Sequence, residues 1–129
     1  EEPFKLILKD GYITKIEGKC LSAMLLRKWL EDWGDPESYG TSHIGWGTHL
    51  NAGTGEGGPK SLVAYLHNSY GSMLIAFGSN YAAQAAKYSG LDGKRKAHSH
   101  CDIGVFNVDF YLDDQLICSA GKIVHPDCK

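Results

Sequence analysis

Hydrophobic and polar residues alternate along the opening segment FKLILKDGYITKIEG, residues 4–18. Phe4, Leu6 and Leu8 occupy every second position, which is the period of a β-strand with one buried face. The pair Asp10-Gly11 is typical of the two-residue turn that joins antiparallel strands. The segment therefore predicts a β-hairpin.

A helical period follows in CLSAMLLRKWLEDWGD, residues 20–35. Its apolar residues recur close to every 3.6 positions, and they are Leu21, Met24, Leu25, Leu26, Trp29, Leu30 and Trp33. Gly34 and Pro36 end the pattern, as such residues do after a helix. The segment predicts an amphipathic helix whose methionine and tryptophan stripe packs in the core, with an interface as the alternative.

The middle of the chain has weaker periodicity. Residues 39–60, YGTSHIGWGTHLNAGTGEGGPK, are predicted to begin as a strand and to continue as a long glycine-rich loop, a kind of segment that often carries function. SLVAYLHNSYG, residues 61–71, is consistent with a short helix, and NYAAQAAKYSG, residues 80–90, with a helix or a loop. Between them, SMLIAFG at residues 72–78 predicts a buried strand.

The last regular pattern is DIGVFNVDFYLDDQLICSAGKIV, residues 102–124, which predicts an antiparallel hairpin turning at Asp113-Asp114. The face predicted to line the core consists of Phe106, Val108, Phe110 and Leu112. The opposite face consists of Val105, Asn107, Asp109 and Tyr111. Because strands outnumber helices, the predicted fold class is α+β, with a mostly antiparallel or mixed sheet and a few packed helices.

Length and composition narrow the function classes. The 129 residues predict a single domain, residues 1–129, and the hydrophobic share of 43% is enough for a core. A formal net charge of −2 argues against a nucleic-acid or acidic-lipid partner, and Lys94-Arg95-Lys96 is predicted to be a solvated loop. No segment predicts a membrane span. The four cysteines lack the CxxC spacing of zinc sites and are predicted to be free thiols of a cytoplasmic protein.

The motif HSHCD, residues 98–102, carries the candidate chemistry. In an extended chain alternate side chains point to the same side, so His98, His100 and Asp102 face one way. Side chains at i and i+2 start about 6.5–7 Å apart, and metal bonds of ~2.0–2.2 Å let an imidazole and a carboxylate meet at one ion. His100 and Asp102 are therefore candidate metal ligands.

A third ligand has to come from elsewhere, and His43 in the glycine-rich segment is the best candidate. Two histidines and one carboxylate leave open coordination positions, which is typical of non-haem Fe(II) sites that bind O2 and substrate together. The same set can hold zinc or manganese, and His98 is a further candidate ligand. The alternative is that HSHCD only forms hydrogen bonds at the start of a strand, and the residues alone do not separate the two.

Three motifs, in the order SHIGWGTHLNA, GSMLIAFGSNY and HSHCDIGV, and the closing GKIV resemble the C-terminal part of two related families. One is the family of aminopeptidase T-type metallopeptidases, and the other includes 2,5-dihydroxypyridine 5,6-dioxygenase. Both families have a further N-terminal region to which no segment of this chain is similar. The chain is therefore expected to be a C-terminal fragment of a longer protein.

Departures from the two patterns favour the dioxygenase side of the resemblance. In the peptidases a glutamate corresponds to His43 and a histidine to Leu74, while Tyr81, His100 and Asp102 are kept. Leucine cannot bind a metal, so a site with two metals is disfavoured. The dioxygenase pattern, a histidine in the first motif followed by HxD, corresponds to His43, His100 and Asp102.

The resemblance implies a mononuclear Fe(II) dioxygenase-like domain that cleaves a hydroxylated aromatic or N-heteroaromatic ring with O2. Zinc, manganese and cobalt are alternative metals. The alternative functions are an aminopeptidase-like metallohydrolase and an inactive binding or structural domain of the same fold. The resemblance also implies a homo-oligomer and a separate N-terminal domain as partners.

Residues near the metal ligands receive predicted roles. His98 shares a face with His100, and we expect it to orient a ligand or the substrate rather than to bind the ion. Ser79, Asn80 and Tyr81 follow the apolar strand and are expected to line the pocket. The predicted catalytic residues are Tyr81 and His98. The predicted substrate-binding residues are Ser79, Asn80, Trp46 and His49.

Overall fold

The computed structural model describes residues 2–48, 70–80 and 95–128. Eight strands lie in this part of the chain: β1 Lys5–Lys9, β2 Tyr12–Glu17, β3 Thr41–Trp46, β4 Ser72–Gly78, β5 His100–Phe106, β6 Phe110–Leu112, β7 Gln115–Ser119 and β8 Lys122–Ile123. They are accompanied by the helix α1, Leu21–Trp33, and by two 3₁₀ helices, Pro36–Tyr39 and Pro126–Cys128. The strands form three small, mostly antiparallel sheets, which confirms the α+β class.

The opening segment forms the predicted hairpin. β1 pairs antiparallel with β2, with Lys9 opposite Tyr12 and Lys5 opposite Glu17. The turn residues Asp10 and Gly11 both have positive φ, 52° and 79°. A two-residue turn of this kind matches the twist of the two strands, so the Asp-Gly signal fixes the turn and the pairing next to it. The register then shifts by one residue between Ile7 and Leu8.

The predicted helix is present, but the prediction that its methionine and tryptophan stripe packs in the core is wrong in part. Gly34 ends α1 in a left-handed conformation, with φ 60°. The buried residues are Ala23, Leu26 and Leu30, whereas Leu21, Met24, Leu25 and Trp33 are exposed. Helix α1 has apolar residues on more than one face, and hydrophobicity alone does not tell which face is buried.

The segment SMLIAFG forms the central strand of the sheet with the order β3-β4-β5. β4 is buried along most of its length, as predicted, and Phe77 and Ala76 are fully buried. At one end of β3 the amide of Gly78 donates to the carbonyl of Gly40, and at the other the amide of Gly47 donates to that of Ser72. These two bonds show that β3 and β4 are antiparallel.

The predicted C-terminal hairpin is the pair β6 and β7, and the order of its sheet is β6-β7-β8. Asp113 and Asp114 form its turn, both with positive φ. The predicted core face is wrong at Phe106 and Leu112, which are 45% and 58% exposed. Asn107, with φ 54°, separates β5 from β6, so the inward and outward alternation does not continue through this segment.

Contacts divide the chain into two compact units, Glu1–His43 with Ala76–Cys101 and Ile44–Ile75 with Asp102–Lys129. Buried side chains of the first unit include Leu26, Leu30 and Phe77. In the second unit, Cys118 is buried, and Gly71 and Gly121 bring two backbone segments into close approach. The division falls within β3, β4 and β5, and a single domain over residues 1–129 stays a prediction.

Candidate metal centre

Three predicted ligands lie together. His43, His100 and Asp102 each offer one ligand atom, and these atoms all lie within 4.8 Å of one another. Two atoms bound at about 2.0–2.2 Å to one ion are at most ~4.4 Å apart, and three that leave coordination positions open lie about 3 Å apart, so binding an ion would draw the three groups closer together. All three side chains are exposed. Two imidazoles and a carboxylate with an open side fit one divalent ion with further coordination positions.

The two histidines come from the two strands that flank β4. Their rings are stacked, with centroids 5.5 Å apart and an interplanar angle of 17°. They meet where β4 ends, since the carbonyl of Ser79, the next residue, accepts hydrogen bonds from Nδ1 of His100 at 2.7 Å and from Oγ of Ser42 at 2.9 Å. Asp102 follows His100 by two positions on β5, and both are exposed, as the alternation predicts.

Gly78 permits this arrangement. Its φ is +93°, and a Cβ at this position would lie 2.3 Å from the carbonyl oxygen of Ser99. The amide of Ser79 donates to the same Ser99 oxygen at 2.8 Å. The hydroxyl of Ser99 donates to that of Ser38 at 2.6 Å, and both side chains are buried. The residue before His100 therefore anchors β5 from the opposite face.

His98 is held by Asp35. The Asp35 carboxylate accepts hydrogen bonds from the His98 amide and the Glu37 amide, each at 2.9 Å, and Nδ1 of His98 lies 3.2 Å from the same carboxylate. The bond from the His98 amide, followed by that from Glu37, lowers the pKa of Asp35. The His98 ring itself is largely exposed. Its role as an orienting or catalytic group stays a prediction.

Arg95 corrects the prediction of a solvated basic loop. Its side chain is only 18% exposed, and Nη1 lies 2.6 Å from a carboxylate oxygen of Glu37. The guanidinium group also lies 4.4 Å from the centre of the Tyr12 ring, a cation–π contact. It covers Gly40 so closely that a Cβ there would lie 2.1 Å from Nη1. Lys96, by contrast, is exposed, as the sequence predicts.

The remaining predicted residues lie at different places. Ser79 and Asn80 directly follow β4 and are half-buried, and the side chain of Asn80 accepts a hydrogen bond from the Arg95 amide at 2.8 Å. Trp46 is at the end of β3, and its ring makes an edge contact with Phe110 at 4.9 Å. Tyr81 and His49 lie outside the described residues. The substrate-binding assignments stay predictions.

Sequence reasoning missed two residues beside the candidate ligands, Ser42 and Asp35. Ser42 precedes His43 in the motif TSHIG, and its Oγ lies 3.2 Å from Nδ1 of His43. Asp35 precedes Pro36 and accepts from the amide two positions on, which is a local cap with a recognisable signal. Its contact with His98, 63 positions away, has no signal in a single sequence.

Comparison with known proteins identifies the family. Residues 1–125 match the family described as NicX, 2,5-dihydroxypyridine 5,6-dioxygenase. The chain belongs to this dioxygenase family. The predicted resemblance to the group that includes 2,5-dihydroxypyridine 5,6-dioxygenase is thereby confirmed.

Two findings from Pseudomonas putida support the same family. A 2,5-dihydroxypyridine 5,6-dioxygenase is 36% identical over 129 residues, which are 98% of this chain and 35% of that protein. A solved structure of 2,5-dihydroxypyridine dioxygenase matches with a TM-score of 0.70 and 34% identity, over 96% of this chain and 34% of that one. The chain thus spans about a third of the length of these dioxygenases.

No helix among residues 2–48, 70–80 and 95–128 is long and apolar enough to cross a membrane.

Proposed function

We propose that this chain is the metal-binding part of a dioxygenase that opens a hydroxylated N-heteroaromatic ring such as a dihydroxypyridine. The observation that carries the proposal is the cluster of His43, His100 and Asp102, with ligand atoms within 4.8 Å of one another, in a member of this family. Two neutral nitrogen ligands and one carboxylate favour Fe(II), although zinc, manganese and cobalt suit the same donors.

Bound Fe(II) would supply open positions at which an aromatic hydroxyl and O2 come together. The chain's own residues hold the ligands: His100 through the Ser79 carbonyl, and Asp102 through its place on β5. Because all three ligand side chains are exposed, a planar substrate has access to the ion from the solvent side. Both atoms of O2 enter the ring-opened product of a dioxygenase, so the reaction requires no external reductant.

The aminopeptidase alternative is not favoured. Leu74 stands where the resemblance places a metal-binding histidine of the peptidases, and its side chain is 4% exposed within β4. A buried alkyl group cannot bind an ion, and its apolar surroundings do not favour a water ligand in its place. Hydrolysis by two metals needs both ions to clamp the reacting oxygens, which this position does not support.

The decisive assay uses the full-length protein loaded with Fe(II) without air, and it offers dihydroxypyridines with O2. We expect oxygen uptake together with loss of ring absorbance, and one Fe per chain by elemental analysis. His100→Ala should remove both the bound metal and the activity while leaving the fold intact. His125→Ala, which removes a histidine outside the cluster, is the matched control. Release of amine from aminoacyl substrates with zinc or cobalt, without oxygen uptake, would contradict the proposal.

We assign His98 to the substrate rather than to the ion. Its Nδ1 faces the Asp35 carboxylate, which places the ring proton there and leaves Nε2 able to accept a proton or a hydrogen bond from a substrate hydroxyl. His98→Ala should keep wild-type metal content and lower turnover by about 100-fold, as expected for a group that moves a proton. Metal content is measured beside turnover, and a loss of metal in this variant contradicts the assignment.

A further inference from the structure

Ser42 lies where it can control the ring of a predicted metal ligand. Its Oγ is 3.2 Å from Nδ1 of His43 and 2.9 Å from the carbonyl oxygen of Ser79. A serine hydroxyl has one hydrogen to donate and two lone pairs to accept with. A peptide carbonyl can only accept, so the contact with Ser79 requires the hydrogen of Ser42.

That requirement selects the tautomer of His43. If the Ser42 hydrogen points to Ser79, the contact with His43 is a hydrogen bond only when Nδ1 of His43 carries the ring proton and donates. The opposite tautomer would direct the Ser42 hydrogen to His43 and leave two oxygens 2.9 Å apart with no hydrogen between them. A neutral imidazole with its proton on Nδ1 binds metal through Nε2.

The same carbonyl orients the second histidine directly. Nδ1 of His100 lies 2.7 Å from the Ser79 oxygen and has to be the donor, so His100 also keeps Nε2 for a metal. A carbonyl oxygen has two lone pairs and can accept both bonds. One peptide group at the end of β4 thus sets the tautomers of both histidines, one directly and one through Ser42.

We propose that Ser42 is a positioning residue of the metal centre. Its hydroxyl donates to the Ser79 carbonyl and accepts from Nδ1 of His43, which keeps the His43 proton on Nδ1. The proposal rests on the proposed metal-binding function. Partners that orient ligand histidines typically change metal affinity by about 10- to 100-fold. Ser42 touches neither substrate nor ion in this role.

The first test observes the tautomer without any metal. Histidine labelled with ¹⁵N is incorporated into the full-length, metal-free protein, and ring nitrogen shifts are measured for the neutral rings, each of which has one proton. His43→Gln and His100→Gln variants assign the signals. We expect Nδ1–H for both rings in the wild type. In Ser42→Ala, His43 should shift toward Nε2–H while His100 keeps its tautomer.

The second test measures the affinity for Fe(II) and Co(II) by anaerobic titration. Ser42→Ala should weaken binding by about 10- to 100-fold, and Ser42→Thr, which keeps the hydroxyl, should restore it to near the wild-type value. Thr14→Ala is the matched control, because it removes a hydroxyl that donates to the carbonyl of Ile7 at 3.1 Å, on the opening hairpin. It should leave metal affinity unchanged.

The outcomes separate the two proposals. A wild-type His43 with its proton on Nε2, or a Ser42→Ala protein with wild-type tautomer and affinity, overturns the role of Ser42. A protein that shows the expected tautomers but binds neither metal overturns the proposed function and leaves the hydrogen-bond relay in place. If Ser42→Ala does not fold, Ser42→Cys is used instead, since it keeps the size of the side chain but has only a weak donor. The wild-type spectrum by itself still shows whether the His43 proton is on Nδ1.

Discussion

The central strand β4 and its two neighbours β3 and β5 belong to one sheet but differ in their relation to solvent. Ser72, Leu74, Ala76, Phe77 and Gly78 of β4 are buried, whereas neither β3 nor β5 has a fully buried residue. All the candidate metal ligands are on the two flanking strands. The sheet thus separates the residues that fix the backbone from those that carry the candidate metal ligands.

This difference explains how the exposed side chains of the candidate ligands are held in place. A ligand set has to be held to within about 0.5 Å, which a mobile loop does not provide. Here the end of β4 supplies the support, because Ser79 contacts both sides of the site and Gly78 allows Ser99 to approach. Substitutions in β4 should therefore act on the whole site through the backbone, and substitutions in β3 or β5 should act on single groups.

The largest effect should come from Phe77→Ala on β4. Phe77 is fully buried, and truncation of such a side chain costs about 3–5 kcal/mol of unfolding free energy. Phe106→Ala on β5, where the ring is 45% exposed, is the matched control and should cost much less. Urea denaturation of both variants gives the comparison, with Phe77→Leu as the milder substitution if alanine prevents folding. Equal losses at the two positions would remove the distinction between the strands.

An intermediate effect is expected for Gly78→Ala. The added Cβ meets the Ser99 carbonyl at 2.3 Å, and φ is +93°, so strain of about 1–3 kcal/mol is expected together with weaker metal binding. Gly45→Ala on β3 adds the same methyl where no atom lies within 4 Å and should stay within about 0.5 kcal/mol. Thermal denaturation and metal titration of the pair sharpen the comparison. A Gly78→Ala protein with wild-type stability would show that the close approach is not required.

The smallest effect should be the pH dependence added by Asp35. Its pKa is lowered by the amides of His98 and Glu37, so the charged form favours the folded state. That stability is present above the unfolded pKa of about 4 and is lost as the pH falls through the lower folded pKa. Asp35→Asn should therefore differ most from the wild type near neutral pH and converge with it in acid. A stability difference that stays constant across this pH range would contradict the assignment.

Local patterns in the sequence predicted the elements that depend on neighbouring residues. The Asp10-Gly11 turn, the buried run of β4 and the Asp113-Asp114 turn were all readable from short-range signals. The buried face of α1 was not readable in this way, since Leu25 and Leu26 are the same residue type and only Leu26 is buried. Phe106 was misassigned because Asn107 breaks the alternation, and a left-handed asparagine has no reliable signal in one sequence.

The candidate ligands were predictable because alternation on β5 and one further histidine sufficed to suggest them. Their supports were not. The Ser42 side chain contacts His43, but the direction of the Ser42 hydroxyl is set by the backbone carbonyl of Ser79, 37 positions away. Arg95 looked like part of a solvated run because its partners, Glu37 and Tyr12, come from distant segments. Contacts between elements with no shared period leave no pattern that a single chain displays.

The Ser79 carbonyl has an evolutionary consequence. Because it belongs to the main chain, no amino-acid exchange at position 79 can delete it, whereas the serine side chain there can vary without touching this function. Mutation can reach the carbonyl only by moving the peptide plane, through Gly78 or through the segment that follows. A shift of that peptide plane would then disturb the orientation of both imidazoles at once. An inherited change at Gly78 is therefore expected to affect both candidate ligands, whereas an exchange of His43 or His100 removes only one.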